Sequence, residues 1–100
     1  MVKFGLVKGR HTLPSDCMGY VFEEITNPMD FEAIELQAHK FVTRFVKRYP
    51  YEFRMDIYVT GLTVALTSLI TELSIAGFTH LGLWHYDKVT DDYKCQLIMI

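Results

Sequence analysis

The segment from residue 54 to residue 86 constrains this chain more than any other. RMDIYVT (54–60) is a short run of strand formers, TVALTSLITELSIA (63–76) has helix length, and THLGLWHY (79–86) returns to strand character. Leu62, Leu66, Leu69, Ile70 and Leu73 form one stripe at three- and four-residue steps, Val64, Ala65, Ile75 and Ala76 widen it, and Gly77 supplies a stop. A strand, helix, strand unit of this length predicts two parallel strands joined by a right-handed crossover. The wide apolar stripe predicts a helix covered on more than one side.

The rest of the chain extends this unit. VKFGLVK (2–8) and CMGYVFEEI (17–25) read as strands joined by the polar loop GRHTLPSD (9–16). A helix then starts at Asn27-Pro28 or at Asp30, and Phe31, Ile34, Ala38, Phe41, Val42, Phe45 and Tyr49 mark its apolar face. Asp30, Glu32 and Glu35 fall in its early turns, and Lys40, Arg44, Lys47 and Arg48 in its later ones. This order suits the helix dipole and leaves a basic end either solvated or facing an anionic partner. Tyr49-Pro50 ends the helix. Residues 87–92 form a polar turn, and YKCQLIMI (93–100) a last strand that makes an antiparallel hairpin with its predecessor. The element order β-β-α-β-α-β-β predicts one α/β domain over residues 1–100, a small Rossmann-like mixed sheet of about five strands with two helices.

Charge and composition exclude several classes. Ten basic residues stand against 12 acidic ones, so no global field draws the chain to long nucleic acid or to an anionic membrane. The most apolar stretch, residues 62–70, is broken by Thr63, Thr67 and Ser68 and falls short of the roughly 20 residues of a membrane span. The alternating start Met1-Val2-Lys3-Phe4-Gly5 has none of the features of a signal peptide, which predicts a cytoplasmic protein. Cys17 and Cys95 have no second ligand at metal spacing and are expected to be free thiols. No sequence pattern calls for a metal or a cofactor.

Three constellations remain as candidates for chemistry. The strand-to-helix junction Thr60-Gly61-Leu62-Thr63 would aim helix N–H groups and the positive dipole end at an anion. Gly61 would allow close approach, and the Thr60 and Thr63 hydroxyls would serve as donors, with Thr63 also a possible N-cap. The same letters also suit an ordinary strand-to-helix turn. Arg10 and His11 follow the first strand; if that strand is parallel to the one ending at Thr60, they reach the same crevice, Arg10 as a charge clamp and His11 as donor or general acid. Trp84-His85-Tyr86-Asp87 closes the next strand, where alternation sends His85 to one face and Trp84 and Tyr86 to the other. An aromatic ring there would stack on a base, and His85 would titrate near neutrality. His39 and His80 read as structural. Acidic pairs, nucleophile elbows, HExxH and CxxC are all missing, so any catalysis would be metal-independent phosphodiester cleavage by orientation and charge stabilisation.

Residues 56–86, with Thr60-Gly61-Leu62-Thr63, Ala76-Gly77 and His80-Leu81-Gly82-Leu83, resemble the small CRISPR-associated and phage-borne Rossmann-like proteins that recognise or degrade cyclic oligonucleotide messengers. That resemblance covers about a third of the chain. It implies a homodimer or larger oligomer with Thr60, Gly61 and Thr63 lining a phosphate site at the dimer interface, near Arg10 and His11, and a ring-nuclease-like or ligand-sequestering, anti-defence activity. The competing expectation is a non-enzymatic phage or mobile-element factor that binds a host protein through an exposed sheet edge or apolar helix.

Overall fold

A computed structural model describes residues 2–9 and 12–100. The elements are β1 (Lys3–Val7), β2 (Cys17–Phe22), α1 (Phe31–Arg48), β3 (Arg54–Tyr58), α2 (Thr63–Ile75), β4 (His80–Asp87) and β5 (Asp92–Met99). They form an α/β fold with one five-stranded mixed sheet in the order β2-β1-β3-β4-β5. The strands β2, β1, β3 and β4 are mutually parallel, and only β5 is antiparallel to its neighbour.

Of the two helix starts compatible with the sequence, α1 uses the second. Asp30 caps it, accepting from the Ala33 N–H at 3.2 Å, while Asn27 closes a turn onto the Met29 N–H at 3.0 Å. Two strands end earlier than the sequence indicates, β2 at Phe22 and β3 at Tyr58. Both helices lie on the same face of the sheet and touch along their length; His39 on α1 meets Glu72 on α2 at 3.0 Å. This follows from chirality, since two right-handed crossovers that step the same way along a sheet must cover the same side. The core fills the space between: Ile34, Ala38, Phe41, Val42 and Phe45 from α1, Ala65, Leu69 and Leu73 from α2, against Leu6, Met55, Ile57, Leu81 and Leu83. Phe4 sets its ring edge-on to Phe41 at 5.0 Å. The breadth of the apolar stripe on α2 is thereby explained, because that helix packs on the sheet and on α1 together.

The connection from β1 to β2 steps the other way. In a doubly wound sheet it would carry a helix on the opposite face; here its described residues, 8–9 and 12–16, form no helix. Leu13 lies over Gly5, where a Cβ would come within 2.5 Å of its methyl group, so this crossing depends on glycine. The face away from the helices therefore has only a partial lid, and its composition differs accordingly from that of the core. No helix among the described residues is long and apolar enough to cross a membrane.

Candidate functional site

The strand order reverses between β1 and β3: the chain leaves β1 toward β2 on one side and leaves β3 toward β4 on the other. Such a switch point, at the carboxyl ends of parallel strands, is where open α/β sheets bind their ligands. The parallel pairing of β1 and β3, with Gly5 opposite Tyr58, satisfies the condition under which the loop after β1 shares an edge with the start of α2.

Thr60 sits at this point but has a different role from the one its sequence position implies. It is buried, and its hydroxyl accepts from the Val7 N–H at 3.3 Å and donates to the Val7 carbonyl at 3.1 Å. The hydroxyl thus ties the ends of the two central strands together, because β1 and β3 stop pairing after Gly5 and Tyr58, and Val7, still paired with Phe22 of β2, has no ladder partner on the β3 side. Gly61 takes a φ of 93°, the left-handed turn that its lack of a Cβ permits, and is exposed. Thr63 is not the N-cap: Leu62 occupies that position with an extended backbone and offers no side-chain bond, and Thr63 is the first helical residue. Leu62 is half-buried and packs against the core, so only its backbone faces outward chemistry.

The consequence is an unusual helix start. Ala65 and Leu66 donate to the Leu62 carbonyl, whereas the N–H groups of Thr63 and Val64 have no acceptor among the described residues. The first turn contains no acidic residue, so the positive end of a 13-residue helix is left without a countercharge. Arg10 and His11, the two other residues assigned to this edge by the sequence, lie outside the described residues. Their neighbours bound a hollow of 480 Å³ lined by Lys8, Gly9, Thr12, Ser15, Cys17 and Tyr20.

At the end of β4 the two faces separate as alternation requires. His85 is exposed and bonded to Gln96 at 3.0 Å, on the face away from Trp84 and Tyr86. It does not join Tyr86. Tyr86 is about half exposed, donates to Asp91 at the hairpin turn, and lines a 290 Å³ hollow with Thr12, Asp91 and Tyr93. Its hydroxyl is held above its ordinary value by that bond to Asp91.

The lidded face also holds a polar network that sequence reasoning overlooked. Asp56, fully buried, accepts from Arg54 Nε at 2.8 Å, from Arg54 Nη2 at 3.0 Å and from Trp84 Nε1 at 2.8 Å. Lys3 Nζ lies 3.6 Å from the Trp84 ring centroid and 3.3 Å from Asp16, and Asp16 accepts from the Tyr58 hydroxyl. Tyr58 is pushed well above its ordinary value, first by burial and then by Asp16, while Asp16 is held below 3.8, chiefly by the Tyr58 bond and with help from Lys3. The signal for this network was an aspartate in the middle of the apolar run RMDIYVT, which an uncompensated burial would not allow.

The basic end of α1 is placed as well. Arg44 and Arg48 rim a 340 Å³ groove against the β2 edge, floored by Phe4, Phe41 and Phe45. Cys17 and Cys95 are free thiols, and no cluster of metal-ligating side chains occurs among the described residues. Comparison with protein-family models, with curated proteins and with solved structures returned no match to this chain.

Proposed function

We propose that this chain binds an anionic, nucleotide-like ligand at the carboxyl edge of its parallel strands, with a phosphate at the first turn of α2. The observation that carries the reading is the uncapped, acid-free start of α2 at the point where the strand order reverses. The Thr63 and Val64 N–H groups, the exposed Thr63 hydroxyl and the left-handed Gly61 make up the phosphate contact. Tyr86 stands one strand away as the group against which a base or sugar settles. A cyclic oligonucleotide satisfies the same chemistry, and the chain either sequesters it or cleaves it slowly without a metal.

A thermal-shift panel of nucleotides and cyclic oligonucleotides tests this. A ligand at a hundredfold excess over its dissociation constant adds about 2.7 kcal/mol to stability. Thr63→Glu places a carboxylate where the phosphate would sit and should abolish the shift while leaving the fold intact. A panel without a single shift would refute the reading.

A second reading, a factor that binds a host protein, is favoured by one observation. Met29 and Phe31, where α1 begins, are 69% and 52% exposed, a cost that a binding surface would explain. Under that reading Phe31→Ala weakens partner capture and Thr63→Glu does not.

A further inference from the structure

The two edges of the sheet are built differently. At one edge β2 is irregular: its register against β1 slips between Lys3 and Gly5, and Gly19 takes a φ of 149°. A bulged edge of this kind resists further strand pairing. At the other edge β5 runs eight residues in unbroken register with β4, from Asp92 opposite Asp87 to Met99 opposite His80. It contains no proline and no glycine.

The outward-facing backbone of β5 can be identified. The Ile100 N–H donates to the Thr79 carbonyl, so the even-numbered residues of β5 exchange hydrogen bonds with β4. The odd-numbered residues Tyr93, Cys95, Leu97 and Met99 then turn their N–H and C=O groups to the free edge, where the Tyr93 N–H donates to the Asp92 carboxylate at 2.8 Å and the N–H groups of the other three meet no acceptor among the described residues. Leu97 and Met99 are 55% and 79% exposed. The one lysine in the strand, the usual guard of such an edge, is folded back: Lys94 Nζ lies 2.9 Å from Asp87 on β4.

We infer that β5 pairs with β5 of a second copy of this chain, antiparallel about a two-fold axis through Gln96, to make one continuous sheet across a homodimer. A second copy is the occupant because an antiparallel strand turned about that axis matches itself. The outward donors and acceptors meet in four residue pairs, giving about eight backbone hydrogen bonds over the overlap once the Tyr93 N–H of each copy exchanges Asp92 for a carbonyl across the axis. This register pairs all four outward-facing residues, which an axis through Cys95 would not, and places Tyr93 opposite Met99 and Cys95 opposite Leu97. It sets Lys94 against Ile98, so no like charges face each other. The dimer does not depend on the ligand reading, since the α2 start lies two strands away from this edge.

Light scattering on the eluted native protein at micromolar concentration should give twice the mass of one chain. Leu97→Lys should halve that mass with an unchanged circular dichroism spectrum. To separate loss of pairing from loss of folding, the register is tested independently in a Cys17→Ser, Cys95→Ser background. There Gln96→Cys should form a covalent dimer on mild oxidation, its two Cα atoms about 4.5 Å apart across the axis, and Lys94→Cys should not. A monomer at every concentration overturns the proposal, and so does a dimer that Gln96→Cys fails to link.

Discussion

Trp84 donates its indole N–H to Asp56 at 2.8 Å, and that carboxylate, without any exposure to solvent, also holds both arms of Arg54. The contact joins β3 to β4 on the side of the sheet that no helix covers. Asp56→Ala should therefore cost about 2–3 kcal/mol by urea unfolding, because it removes the acceptor of a partly exposed guanidinium and of an indole N–H. Trp84→Phe, which keeps the ion pair, should cost only about 1–2 kcal/mol through the hydrogen bond. Equal losses for the two variants would show that Asp56 is not the hub.

Gly82 makes room for that hub. A Cβ at this position would lie 2.5 Å from Asp56 Oδ2 and 2.9 Å from Arg54 Nη2. Gly82→Ala should destabilise by about 1–3 kcal/mol, and combining it with Asp56→Ala should cost less than the sum, since the clash disappears with the carboxylate. Strict additivity in that double-mutant cycle would contradict the geometry.

Thr60 fastens the ends of β1 and β3. Thr60→Val preserves shape and removes the hydroxyl, leaving the buried Val7 N–H without its partner, at a cost of about 1–3 kcal/mol. Hydrogen exchange at Val7 should accelerate before exchange in the centre of β3 does. Thr60→Ser, which keeps the oxygen, should restore protection.

The Asp16 and Tyr58 pair gives the stability a defined pH dependence. Asp16 has its folded value lowered below 3.8, so its contribution is present above that pH and is lost as pH falls through the folded value. Tyr58 is raised above 10.0, so its contribution is present below that pH and fades as pH rises beyond it. Asp16→Asn should flatten the acid limb of the melting-temperature profile and shorten the alkaline limb, because the alkaline loss still begins at the unfolded tyrosine value but ends at a lower folded one. A profile unchanged at both ends would mean that the pair does not form.

The sequence by itself determined the elements and most of their order. Apolar spacing at three and four residues placed both helices, alternation placed the strands and sent His85 away from Trp84 and Tyr86, and the short span from residue 54 to residue 86 required parallel strands. These are local properties, set by the period of side chains along a chain and by the handedness of its crossovers. Tertiary structure decided what depends on neighbours far along the chain. Only the pairing of β1 with both β2 and β3 shows where the sheet reverses, and only packing shows that Thr60 bonds Val7 while Leu62, with no capping side chain, leads α2. The buried Asp56 makes the difference plain: its position in an apolar run could be seen, and Arg54 lies two residues away on the same strand, but its indole partner comes from the adjacent strand of the folded sheet. Hydrogen bonds between groups 28 and 53 residues apart leave no periodic trace in a sequence, because they are fixed by distance in space and not by spacing along the chain.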